Sequence, residues 1–356
     1  MTKTDFGQNR LLQGWLLLCV LMVAVMVPLG GVTRLTESGL SIVDWRPVTG
    51  TLPPLSQAAW QVEFDKYQTS PQFQQVNHDI SPQEFRKIFL MEWAHRLWGR
   101  LIFLAYLLPF AVFWWRGWLS SQQKRWYGAL VILVPIQGLM GWLMVQSGLM
   151  DEPRVSPLRL AVHLGLALLL FSLTLWQSWK LRPTGADTMP KLVPTGLNAL
   201  SRLMLLLLLL TTLAGALVAG NRAGWIYNEF PLMGGQWIPA EYGSLQPWWQ
   251  NFISNHAAVQ FHHRWLGMAT VVLALTQWGI FAMRQGVDRP LRRAVAMIAI
   301  LALLQAGLGI STLLLGVPIW LAAVHQANIL ALLAATLWLR WQCQPLSKPQ
   351  GIAVTE

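Results

Sequence analysis

Four histidines are the residues of this chain best placed to do chemistry. His95, His163, His263 and His325 each lie inside a long apolar run, where an ionisable side chain is costly and so marks a functional candidate. They fall into two matched sets. His95-Arg96-x-x-Gly99 repeats as His263-Arg264-x-x-Gly267, and Gln137 and Gly141 repeat as Gln305 and Gly309. The first histidine stands 42 residues before the glutamine in both sets. His163 and His325 close the sets, 68 residues after His95 and 62 after His263. Arg34 and Arg222, behind the first and fifth apolar runs, extend the match.

Each histidine lies about five to seven residues in from the outer end of its run, or about 7–10 Å at 1.5 Å per residue. Two imidazoles at one depth, on the second and fourth helices of a four-helix unit, suit bis-imidazole ligation of a haem iron. A zinc or copper site is the rival. Compact zinc sites use closely spaced ligands, often with Cys or carboxylates, and these histidines are divided between two units. Gly99 and Gly267, one turn after their histidines, would leave room for a flat macrocycle. Arg96 and Arg264 could pair with propionates or snorkel to headgroups; Arg34 and Arg222 are further propionate candidates. His78 lies in a polar loop, and His256 at the edge of the sixth run. His262 adjoins His263 but points about 100° away on the helix wheel, at 3.6 residues per turn. The repeat selects His263, with His262 as the alternative.

The sets differ at one position. Glu92 precedes His95 by three residues, where Gln260 precedes His263. Residues at i and i+3 share a helix face, so Glu92 is the candidate catalytic acid of the first set. It could take a proton, stabilise positive charge or direct water. A structural acid paired with Arg96 or Arg34 is the other reading.

The elements that must position these residues are helices. Eight apolar runs are long enough to cross a bilayer, which takes roughly 20 residues: 11–31, 89–114, 127–147, 157–179, 203–220, 258–283, 294–315 and 320–340. With 54% hydrophobic and only 12% charged residues, too little polar surface remains to coat a soluble protein. The fold class expected is all-α: a polytopic membrane protein of eight transmembrane helices, arranged as two parallel-repeat four-helix bundles. Residues 1–179 form the first bundle, 180–202 a polar linker with Pro183, Pro190 and Pro194, 203–340 the second bundle and 341–356 a tail. Four spans per half make the repeat parallel rather than inverted.

With the N-terminus inside, inner segments hold 15 of the 26 Lys and Arg and four of the 15 acids, so the whole formal charge of +11 lies on one side. That is the positive-inside pattern and not a nucleic-acid footprint. Both termini are therefore expected in the cytoplasm. The first run is longer than a signal core and lacks a small-x-small cleavage site, so it reads as a retained helix. No Arg- and Ser-rich transit segment precedes it, which favours a bacterial inner (plasma) membrane. Cys19 and Cys343 lie too far apart in depth to pair.

Glu92-Trp93-Ala94-His95-Arg96-Leu97-Trp98-Gly99-Arg100 resembles the Glu-x-x-His-Arg signature of the haem A synthase family, as does Gly30 to Ser41 after the first span. Pro53-Pro54-Leu55-Ser56 with the stretch 60–87 is similar to the long-loop branch, which includes the mitochondrial enzymes. Asn228-Glu229-Phe230-Pro231-Leu232-Met233 and Gln260-Phe261-His262-His263-Arg264 resemble the second-half motifs. The resemblance runs from about residue 10 to 340. It implies oxidation of a ring methyl of haem O to the formyl group of haem A, for haem-copper terminal oxidases. It implies substrate haem on His95 and His163, a haem b cofactor on His263 and His325, and Glu92 as the essential acid. Haem O synthase as supplier, a membrane electron acceptor, terminal oxidase assembly factors and a homo-oligomer are the partners it suggests. Some family members carry a cysteine pair in the first outer loop; this chain has none. A cytochrome b-like quinol oxidoreductase, acting as a bis-haem electron carrier, and a haem transporter are the alternatives.

Overall fold

The structure is a computed structural model that describes residues 3–46, 49–150, 152–182 and 193–344. The helices are α1 (Lys3–Leu35), α2 (Gln57–Gln68), α3 (Pro71–Gln75), α4 (Pro82–Trp115), α5 (Ser121–Gly148), α6 (Pro157–Lys180), α7 (Leu197–Gly220), α8 (His256–Ala282), α9 (Arg289–Leu314) and α10 (Ile319–Gln342). All but α2 and α3 are long and apolar enough to cross a membrane. The chain is an all-α polytopic membrane protein; the described residues include a single bridge pair, Met233 with Gln236, and no longer strand.

Several helices begin earlier than their apolar runs. α4 starts at Pro82 rather than 89, because Ser81 and Glu84 form a reciprocal capping box and Pro82 sits at the first helical position, where it is pre-set for a helix. α5 starts at Ser121 rather than 127 under a capping box from Ser120 and Gln123. Caps end helices; hydropathy marks only the stretch that meets lipid. α7 likewise begins at Leu197, which shortens the expected 180–202 connection. Pro194 lies in its described part, while Pro183 and Pro190 fall outside the described residues, as does the tail from 345 onward.

Helix neighbours form two closed rings. α1, α4, α5 and α6 pack in sequence, with α6 returning to α1; α7, α8, α9 and α10 do the same, with α10 returning to α7. The rings meet through α1 with α10, α6 with α7 and α6 with α10. One continuous apolar core runs through all eight helices. Among lipid tails such contacts rest on close packing rather than water exclusion. Toward the ends of α6 and α10 the joint is aromatic: Trp179 lies 5.2 Å from Trp338 and Trp176 5.1 Å from Trp341, both edge-to-face.

Two loop systems cap the helix ends that follow α1 and α7. The first carries α2 and α3 and has its own apolar centre, where Phe64, Tyr67, Phe85 and Phe89 pack together. The second, 221–255, is knotted by Asn255, whose amide donates to Glu241 O at 2.7 Å and Asn251 Oδ1 at 2.8 Å. Cys19 and Cys343 are both buried and unpaired.

Candidate active site

Every one of the four histidines rests on a glycine of the next helix. A Cβ added to Gly30 (α1) would stand 3.2 Å from Nε2 of His95 (α4), and one on Gly141 (α5) 3.0 Å from Cε1 of His163 (α6). In the second ring, a Cβ on Gly215 (α7) or Gly309 (α9) would stand 2.8 Å from Cε1 of His263 (α8) or His325 (α10). Real Cβ contacts are rarely so short, so glycine is what lets each imidazole lie against its neighbour's backbone. Gly99 and Gly267 play a lesser part. Added Cβ atoms there would meet Met26 at 3.6 Å and Thr211 at 4.0 Å, ordinary contacts with the adjacent helix.

The rings of His263 and His325 face each other at 6.5 Å between centroids, with planes 89° apart. All four histidines are half-buried. Gln137 Nε2 donates to His163 O at 2.9 Å and lies 3.4 Å from its Nε2. Gln305 Nε2 lies 3.3 Å from His325 Nε2, and Asn328 steadies Gln305 by donating to its Oε1 at 2.8 Å. His263 Nδ1 donates to the main-chain oxygen of Thr211 at 2.9 Å. Thus the repeated glutamines position the second histidine of each ring. Neither Thr211 nor Asn328 carries a signal in the sequence. Gly30 opens the Gly30 to Ser41 motif, and an alignment of α7 with α1 places Gly215 opposite it.

Nδ1 of His163 and of His325 is buried with no hydrogen-bond partner among the described residues. An imidazole left unsatisfied in this way needs an explanation, and a bound group is one. The opposed imidazoles of His263 and His325 fit axial ligation of haem iron. No group of three or more His, Cys, Asp or Glu that could hold a compact metal site occurs among the described residues.

The other histidines are engaged elsewhere. His262 Nε2 and Tyr242 Oη share a hydrogen bond at 2.8 Å, and the His262 ring stacks on Phe252 at 5.1 Å. It serves the loop 221–255, so His263, not His262, faces His325. His78 pairs with Asp79 at 2.9 Å in the first loop, and His256 opens α8.

Glu92 is buried, and four donors surround its carboxylate. Ser41 Oγ and Ile42 N–H donate to Oε2 at 2.7 and 2.8 Å. Arg96 donates to Oε1 from Nε at 3.1 Å and from Nη2 at 2.7 Å. Arg96 also donates to the oxygens of Ile42 (2.9 Å) and Asp44 (3.2 Å). Gln260 holds the matching place: its Oε1 accepts from Arg264 Nη2 at 3.0 Å, and its Nε2 donates to Ala223 O at 2.8 Å. Arg264 then donates to the oxygens of Tyr227, Glu229 and Leu232 at 2.7–3.0 Å. In each ring the residue three before the histidine and the arginine after it pin the loop above. Arg222 is paired with Glu37 at 2.9 Å. Both residues open short 3₁₀ turns with φ of 54°, so Glu37, rather than Arg34, is the first-half counterpart of Arg222. Of the four arginines, Arg34 alone makes no hydrogen bond or salt bridge among the described residues.

The family model described as COX15-CtaA, cytochrome oxidase assembly protein, matches residues 13–337. The chain is 46% identical to the heme A synthase COX15 of Homo sapiens, over 93% of this chain and 82% of that one. It is 44% identical to the heme A synthase of Rhodospirillum centenum, over 94% and 89% of the two chains. For that of Nitrosospira multiformis the identity is 42%, over 95% of each. With a match that covers nearly every helix and both histidine pairs, the chain belongs to the COX15-CtaA family of cytochrome oxidase assembly proteins.

Proposed function

We propose that this protein is a haem A synthase, an oxidoreductase that converts a ring methyl of haem O to the formyl group of haem A. The carrying observation is the pairing of two like imidazole sites with one unlike neighbour, Glu92 in the first ring and Gln260 in the second. The first half, 1–179, takes substrate haem O on His95 and His163. The second, 203–340, holds haem b on His263 and His325, and a bound haem there supplies one-electron chemistry. Arg34, which makes no hydrogen bond or salt bridge among the described residues, is the arginine best placed to receive a propionate carboxylate; Arg96, Arg222 and Arg264 hold the loops and the joint between the halves.

The four hydrogen bonds to Glu92 shape its role. An ionised carboxylate has about four lone-pair sites, and all are engaged, so Glu92 acts first as a fixed negative charge. Methyl-to-formyl oxidation takes its oxygen from water and releases four electrons, to a membrane electron acceptor, with four protons; it builds positive charge at the methyl carbon, which a preorganised anion in the first ring stabilises. To accept a proton, the carboxylate must first release Ser41 or Arg96. Gln260 offers the second site neither charge nor basicity.

The protein lies in a bacterial inner membrane with both termini in the cytoplasm, a reading supported by the one-sided Lys and Arg. Its substrate, haem O, is supplied by a haem O synthase, and its product goes to terminal oxidase assembly. The test is expression in a host that makes haem O but no haem A, followed by pigment extraction and chromatography. A formyl haem with the parental chain and none with Glu92→Gln is the expected result. Haem O unchanged by the parental chain overturns the reading.

A further inference from the structure

The two rings differ in how they hold the first histidine of each pair. In the second, His263 Nδ1 lies 2.9 Å from the main-chain oxygen of Thr211. A carbonyl oxygen can only accept, so Nδ1 carries the proton and Nε2 keeps its lone pair. Gly215, one turn beyond Thr211 on α7, lets the ring come this close; an added Cβ would stand 2.8 Å from Cε1 and 3.2 Å from Nδ1. In the first ring, Gly30 of α1 takes the place of Gly215, but it meets the opposite edge of the imidazole. Its added Cβ would stand 3.2 Å from Nε2 and 3.8 Å from Cδ2 of His95. The His95 ring is turned over relative to His263 and makes no hydrogen bond among the described residues.

We infer that the Thr211 carbonyl is a positioning group that locks His263 as a permanent haem ligand, and that His95, without such a lock, is the ligand built to let its haem go. This rests on the assignment of the second half to a resident haem and the first to an exchanging one. A ring N–H held by a carbonyl fixes the tautomer and orientation of a ligating imidazole and raises its basicity. A resident cofactor gains from both. A site that must release its product does not, and the free His95 ring can rotate away.

The test replaces each imidazole from solution. His263→Gly and His95→Gly are each loaded with haem in the presence of 4-methylimidazole or 1-methylimidazole, isomers of equal size. Only the first keeps an N–H on the nitrogen opposite the metal. Haem release to apomyoglobin and the midpoint potential are then measured. For His263→Gly, haem should leave about tenfold more slowly with 4-methylimidazole, in line with the cost of losing an outer-shell partner, and its potential should be lower. For His95→Gly, the two isomers should give equal rates. Equal rates and potentials at His263→Gly overturn the lock, as does a 4-methylimidazole advantage at His95→Gly. If His263→Gly without added ligand leaves haem content and spectrum unaltered, the site assignment itself fails and takes this inference with it.

Discussion

Arg222 Nη2 lies 2.9 Å from Glu37 Oε1, and the two residues occupy matching places in the two halves. Each follows the first helix of its ring, and each has φ of 54°, a left-handed conformation uncommon outside glycine. The pair therefore joins the halves at equivalent points, with opposite charges where a strict repeat would place like ones. Both side chains are 39% exposed, so the bond is partly screened. A double-mutant cycle of Glu37→Gln and Arg222→Gln, read by thermal unfolding in detergent, should give a coupling below about 1 kcal/mol that fades with added salt. A salt-independent coupling of several kcal/mol would mean that the pair is dry in the membrane.

Glu92→Gln should fold. Gln260 shows that an amide at this position can accept from the following arginine and donate to a loop carbonyl. Unfolding temperature and second-half haem content should stay close to parental while formyl product disappears. Glu92→Ala should instead destabilise by about 3–5 kcal/mol, because it leaves Arg96 without its buried partner. Parental product yield from Glu92→Gln would make the acid purely structural.

The glycines separate into two classes by what they touch. Gly141→Ala and Gly309→Ala place a methyl 3.0 and 2.8 Å from imidazole carbons, so His163 and His325 must swing away. Haem retained through purification should fall several-fold in Gly309→Ala, and formyl product should fall several-fold in Gly141→Ala. Gly99→Ala and Gly267→Ala introduce only ordinary contacts, at 3.6 and 4.0 Å, and should retain haem like the parent. The opposite ranking in extracted haem would show that the macrocycle lies along Gly99 and Gly267 instead.

The first loop, which carries α2 and α3, should be acid-sensitive. Lys66 Nζ donates to Asp44 at 2.9 Å and to Glu63 at 3.0 Å, and its hydrogen bond holds the Asp44 carboxyl below its ordinary range. A depressed folded-state pKa stabilises the fold above the unfolded value, near 4 for aspartate, and that stabilisation is lost as pH falls through the folded value. Amide exchange in α2 should therefore rise below about pH 4, and Asp44→Asn should show the same rise at neutral pH. Equal protection in α2 at pH 6 and pH 3 would remove the network from any role in holding the loop.

Much of this was legible in the chain itself. A bilayer admits only backbone that satisfies its own hydrogen bonds, so eight apolar runs amounted to eight helices. The shared 42-residue interval from His95 to Gln137 and from His263 to Gln305 disclosed the matched sites, and Glu92 opposite Gln260 disclosed their one difference. These are features of type and spacing, and they survive without coordinates. What tertiary structure decided were contacts between residues far apart in sequence, which depend on how each helix is rotated about its axis. The early start of α4 needed the Ser81 cap. The partners of Arg96 and Arg264 needed the loops folded back onto them. The carbonyl of Thr211 reaches His263 across 52 residues, and any threonine in a helix has such a carbonyl. Only the packing of α7 on α8, made close by Gly215, singles this one out.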